Sequence, residues 1–427
     1  MNQTSQNVKP TAMKDNSAIA IIGVLFFIFG FISWINAILI PYFKLTCSLT
    51  DKQSMLVAFA FYISYFIMAF PASAILKKTG FKNGMMLGLW TIAIGALIFI
   101  PAALSRTYSL FLFGLFIQAT GLTILQTASN PYIVILGPIE SAAKRISIMG
   151  VCNKIAGAIA PLILIGFLTK SDTEIDEIKA QLPNMMLADK ELLLNELAAR
   201  LIIPYIIIAV VLVALGIMIR LSSLPDIKEP EDTEGGAARK TSVFQYPHLV
   251  LGALTVFCAV SVEVLAVNSI IGYGEHSGLA FKDAKYFATY TLLFMIVSYI
   301  LATILIPKYI KQRQVLQIVS IAGFVLTLAA VSVSGISSVW AIALLGLANA
   351  VLWPAIWPLA IDGIGRFMKQ GSALLIMGII GGALMPLIYG AISDYSNPQV
   401  AYAVMLPCYI FIFYYATYGY KVGKQAV

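Results

Sequence analysis

Of the twenty acidic residues in this chain of 427, only Glu263, in SVEVLAVNS, and Asp362, in WPAIWPLAIDGIG, fall inside long apolar segments. A charge in such a segment is costly, and by default it marks a functional site or an internal ion pair. Lys154, in VCNKIAG, is their basic counterpart. Amides share these segments. Gln126 and Asn130 stand four residues apart and therefore on one helix face, and Asn36, Asn153, Asn268 and Asn349 are further candidates. Each amide offers donors and acceptors together, which suits the hydroxyl groups of a sugar. The plainer use of such residues is to bond one membrane helix to another. Trp353 and Trp357, one turn apart, could present flat faces to a sugar ring, with Trp34 as a counterpart in the first half. Asp362 precedes Arg366 by four residues, the spacing of an ion pair along a helix or of a gate at a membrane face.

Other chemistries lack their residues. His248 and His276 are the only histidines, both at predicted helix ends, and the four cysteines form no CxxC pair. General acid–base work, a zinc centre and a disulfide framework are therefore not indicated, and no cofactor is expected. What remains is reversible binding of a polar guest with compensation of charge. Lys154, Glu263 and Asp362 sum to one negative charge, which one bound sodium ion would neutralise.

Such side chains need elements that carry them through an apolar medium. With 60% hydrophobic and 11% charged residues and a mean hydropathy of +0.89, the chain is expected to live in a lipid bilayer. A helix needs about 20 apolar residues to cross it, and the runs lack the alternation of barrel strands. Twelve helices are predicted, at 18–43, 53–76, 84–104, 108–137, 146–168, 201–221, 247–273, 284–307, 315–335, 337–363, 371–392 and 398–420. The heptad GAIAPLI at Gly157 returns as GALMPLI at Gly382, 225 residues on, and Pro131 and Pro354 repeat nearly the same offset. The chain thus reads as a duplication. An N-terminal six-helix bundle covers 1–223, a polar cytoplasmic linker 224–241, and a C-terminal bundle 242–427, with an external cap at 170–200. Glycine and proline interrupting the corresponding segments of two halves point to a transporter's midplane site.

A net charge of +8 would suit nucleic acid, but its distribution argues otherwise. Roughly twice as many Lys and Arg fall in loops on the side of the termini as on the other, which places both termini in the cytoplasm. No nucleic acid partner is expected. The polar start through Asn16 runs into the first helix without a small-residue cleavage pattern, so that helix is expected to be retained.

Four segments, INAILIPYF from Ile35, LQTASNPYIVILGP from Leu125, KRISIMGVCNKIAG from Lys144 and WPAIWPLAIDGIG from Trp353, resemble the fucose, galactose and glucose symporter family of the major facilitator superfamily. The resemblance implies an all-α membrane protein of twelve helices in two pseudo-symmetric bundles, alternating access, and a monosaccharide carried with a cation. Proton-coupled members carry an Asp after the Asn of the first helix and a Glu in the fourth. Here those places hold Ala37 and Gln126, neither of which titrates near neutral pH. Sodium-coupled glucose and galactose permeases are similar to this chain in the Gln of the fourth helix, whereas Ala37 departs from both patterns.

The expectation is therefore a monomeric bacterial inner-membrane importer of a monosaccharide, coupled to sodium, with proton coupling through Glu263 as the alternative and an exporter of amphipathic compounds behind it. Asn36, Gln126, Asn130, Asn153, Lys154, Glu263, Asn268, Trp353 and Trp357 are expected at the substrate. Glu263, Gln126 and Asn36 are expected at the cation, and Asp362 and Arg366 at a gate.

Overall fold

Apolar runs of this length satisfy their backbone polar groups inside a membrane by coiling. Twelve helices do so in the computed structural model, which describes residues 12–135, 142–222, 242–306, 309–364 and 367–424. The spans are Ile19–Thr46, Asp51–Leu76, Lys78–Leu104, Tyr108–Ser129, Ile148–Leu168, Leu187–Leu221, Pro247–Asn268, Phe281–Leu305, Gln312–Ser332, Ile336–Ile361, Gln370–Tyr395 and Pro398–Thr417. They are numbered below in that order. All twelve expected helices are present, most with ends displaced by a few residues; the sixth range takes in the helix Leu187–Ala199 ahead of its expected part, Ile202–Leu221. The second and third spans run on almost without a loop, turned only at Gly80, whose φ of 74° is open to glycine at little cost. The tenth helix stops at Ile361, so Asp362 lies past its end rather than within it.

Helices in lipid gain nothing by hiding apolar surface from one another, and close approach at small residues drives their packing instead. The same pairs recur in both halves. First packs on fifth, third on fourth and third on sixth, matched by seventh on eleventh, ninth on tenth and ninth on twelfth. A Cβ at Gly30 would fall 1.8 Å from the backbone oxygen of Asn153, and one at Gly381 would fall 2.1 Å from that of Phe257, so both crossings require glycine. The duplicated heptads have the same task. Gly157 makes room for the Trp34 ring of the first span, and Gly382 makes room for Tyr62 and Val264. The lobes meet along the fifth and eighth spans and along the second and eleventh, two contacts related by the same pseudo-symmetry. The joining segment expected at 224–241 lies outside the described residues.

The segment expected as a cap folds as two helices, Glu174–Gln181 and Leu187–Ala199. Arg200 holds the first of them with a fork on both oxygens of Glu174, at 2.8 and 2.9 Å, and also bonds the Leu168 carbonyl that ends the fifth span.

At this end of the molecule the lobes are tied together. Asp176 accepts the amides of Phe281 and Lys282, the start of the eighth span, at 2.7 and 3.2 Å. Asp394, at the end of the eleventh span, accepts those of Asp51 and Lys52, the start of the second, at 2.9 and 3.0 Å. Ion pairs Lys285–Asp172, at 2.6 Å, and Lys179–Glu275 reinforce them. The cap end is closed.

Candidate functional site

Trp34 ends the first straight stretch of its span, before a turn at Ile35. Its indole donates to Oδ1 of Asn153 on the fifth span at 3.2 Å, and the Asn153 amide donates back to the Phe26 carbonyl at 3.4 Å. Held against Gly157, the indole face receives the Lys154 ammonium 4.1 Å from its centroid, a cation–π contact that desolvation strengthens. The ammonium also meets Oε1 of Glu263 on the seventh span at 2.5 Å. Side-chain exposures of 6% for Lys154 and 15% for Glu263 make this a largely buried pair joining the two lobes. Removing either partner would strand the other, a loss of about 3–5 kcal/mol in buried settings.

A second chain of contacts starts from the fourth span. Gln126 donates to the Tyr65 hydroxyl at 2.8 Å, and Tyr65 stacks on Tyr62 with centroids 6.2 Å apart. The Tyr62 phenol lies within electrostatic reach of Glu263, as do those of Tyr299 and Tyr409 on the eighth and twelfth spans. Asn153, Lys154 and Glu263 are thus joined through Trp34, and Gln126 through Tyr65 to Tyr62, two sets of contacts with no described hydrogen bond between them. Tyr62 and Tyr65 are partners that sequence reasoning missed. The signal available was Tyr62 and Tyr65 at three-residue spacing on one helix face.

Asn36 and Asn268 are fully buried, and the nitrogen and oxygen of each have no hydrogen-bond partner among the described residues. Asn349 differs. It donates to the Val262 carbonyl at 3.2 Å and accepts from Tyr409 at 2.7 Å, which is the helix-bonding use of an amide. Trp353 and Trp357 touch each other, centroids 5.2 Å apart and tilted by 34°, but no described ring contact or hydrogen bond joins them to the Lys154–Glu263 network. The Asn130 side chain and Arg366 lie outside the described residues. Asp362 is 70% exposed and pairs with Lys424 at 2.7 Å. The sum of three charges expected from the sequence therefore does not describe one site, since Asp362 stands apart and Lys154 and Glu263 neutralise each other.

The arrangement holds two opposite charges joined between two lobes, with amides and aromatic faces beside them. The model of the Major Facilitator Superfamily matches residues 22–378. The chain belongs to that superfamily. It is 33% identical to a protein of Brucella abortus named a glucose/galactose transporter, over 95% of this chain and 94% of that one. It is 31% identical to a putative glucose/galactose transporter of Helicobacter pylori, over 96% and 98%, and 29% identical to the L-fucose-proton symporter of Escherichia coli, over 93% and 92%. Among solved structures, the crystal structure of the superfamily transporter FucP in its outward conformation superposes with a TM-score of 0.72 at 27% identity, covering 94% of this chain and 98% of that one. Membership of a transporter superfamily agrees with the reading as a carrier rather than a membrane enzyme.

Proposed function

We propose that the chain imports a monosaccharide of the glucose or galactose kind, in symport with a cation, by rocking its two lobes about the network at Lys154 and Glu263. The observation that carries this reading is the buried Lys154–Glu263 pair joining the two lobes, in a chain similar over nearly its whole length to proteins named for these sugars. Gln126, Asn130 and Asn153 bond sugar hydroxyls, joined by Asn36 and Asn268 when the cap end opens, while Trp353 or Trp357 supplies a stacking face. The protein acts as a monomer in the bacterial inner membrane. Both termini and the segment 224–241 are cytoplasmic, the cap is external, and Asp362 with Arg366 serves the cytoplasmic gate.

Glu263 senses the cation. Gln126 favours sodium by the family resemblance, and Ala37, which fits neither pattern, only leaves the usual titratable pair of proton-coupled members without a counterpart here. The similarity to the L-fucose-proton symporter favours a proton carried by Glu263 itself.

A panel of monosaccharides with purified protein, with and without sodium and across pH, tests substrate and cation together. A ligand that binds only the folded form raises the melting temperature. One sugar is expected to do so, and Gln126→Ala is expected to weaken it about ten-fold or more by losing a hydrogen bond to the sugar. A flat response to every sugar, in protein shown to be folded, ends the proposal.

A further inference from the structure

We infer that Lys154 is a tethered counter-ion that replaces the transported cation on Glu263 whenever the cap end closes. The inference rests on the reading of the chain as a cation-coupled sugar carrier and adds the step by which the cation is released.

Three observations meet in it. The Lys154–Glu263 pair bridges the fifth span of one lobe and the seventh of the other, and it is present while Asp176, Asp394 and the ion pairs around them hold the cap end shut. Glu263 lies about midway along a helix that starts at Pro247 and continues past a break at Ser269 to His276 at the cap end. Because the pair bridges the lobes, separating them at that end draws Glu263 away from Lys154. Finally, Lys154 sits over the Trp34 ring, which belongs to its own lobe. That contact survives the separation and gives the ammonium a resting place.

Glu263 has no equivalent alternative. Among the described residues Lys154 is the group bonded to it, and the nearby phenols of Tyr62, Tyr299 and Tyr409 do not balance a carboxylate's charge. An unbalanced carboxylate inside a membrane is costly, so in the cap-open state it takes a cation from the solvent, either sodium or a proton. When the cap end closes, the ammonium returns to the same oxygen. One carboxylate does not fully bind both cations, and the mobile one leaves toward the opposite face. Coupling then follows from competition between a tethered cation and a free one for a single site.

The decisive variants are Lys154→Gln, Glu263→Gln and the double substitution, which restores neutrality by removing both charges. Melting temperature is followed against sodium, with choline holding ionic strength constant, and against pH, with no sugar present. Lys154→Gln is expected to gain a cation-induced rise of several degrees, because Glu263 then binds sodium or a proton without competition. Wild type is expected to show a much smaller rise, and the double variant none. If Lys154→Gln responds to both cations just as wild type does, or if the double variant keeps the response, the inference is overturned.

In proteoliposomes, cation-driven accumulation of sugar is expected to fall at least ten-fold in Lys154→Gln. Wild-type protein that accumulates no sugar under any cation gradient would remove the proposed function while leaving the sugar-free measurement to decide the counter-ion role.

Discussion

Asn36 and Asn268 are sealed from solvent in this conformation, with neither end of either amide bonded. An unsatisfied buried polar group costs about 1–3 kcal/mol, and a fold retains that cost where the group acts in another state. Asn36→Leu, which keeps roughly the volume and drops both orphaned atoms, is expected to raise the melting temperature of the cap-closed protein while sugar uptake falls at least ten-fold. Thermal unfolding and uptake measured on the same preparation check both halves, and a lowered melting temperature would refute the idea. At this scale the sequence was informative about identity and poor about partnership. A Lys, a Glu or a Gln in an apolar run announces itself because its cost there is high. The pairing of Lys154 with Glu263 spans 109 positions and depends on how two lobes dock, which local pattern does not encode. Tyr62 and Tyr65 escaped notice because a tyrosine in a membrane helix reads as ordinary packing until its hydroxyl is seen to hold Gln126.

Two helices begin at the cap end with their amides capped by a carboxylate from the opposite lobe, Asp176 on the eighth span and Asp394 on the second. An acidic group at a helix N-terminus gains from the partial positive charge there, about 1 kcal/mol at exposed sites. Because each bond crosses between lobes, that gain belongs to the closed state alone. Asp176→Asn and Asp394→Asn are each expected to shift the closed-to-open ratio about five-fold toward open, since 1 kcal/mol is about 1.7 RT. Distances between spin labels on the two lobes at the cap end would report it, and unchanged populations in the double variant would exclude a latch. Acid should act the same way, but only at low pH. The hydrogen bond and charge of Lys285 hold the Asp172 carboxyl below its usual value, as Arg200 does for Glu174. A depressed value means that this contribution is complete above the ordinary carboxylate range and is lost as pH falls through the lowered one. The helices and their number were readable from apolar length, and their division into two halves from the repeat. Their ends were not, because the turn at Gly80 and the stop at Ile361 are set by backbone geometry and docking rather than by hydropathy.

At the scale of the whole molecule, the duplication seen in two heptads becomes a mechanical symmetry. Fifth against eighth and second against eleventh are equivalent seams, so opening at one end is a rotation about both. The FucP structure was solved in an outward conformation, whereas here the cap end is tied. If the lobes rock, fixing them at the cap must stop transport without touching Lys154, Glu263 or Gln126. Lys179 on the first cap helix pairs with Glu275, beyond the seventh span, and thereby supplies a staple at the rim. With the native residues Cys47, Cys152, Cys258 and Cys408 replaced, Lys179→Cys with Glu275→Cys is expected to lose nearly all uptake on oxidation and to regain it on reduction. Each single cysteine should respond to neither treatment. Uptake that persists with the disulfide verified by mass would mean that sugar crosses without the cap end opening, which is incompatible with lobes that alternate about a central site.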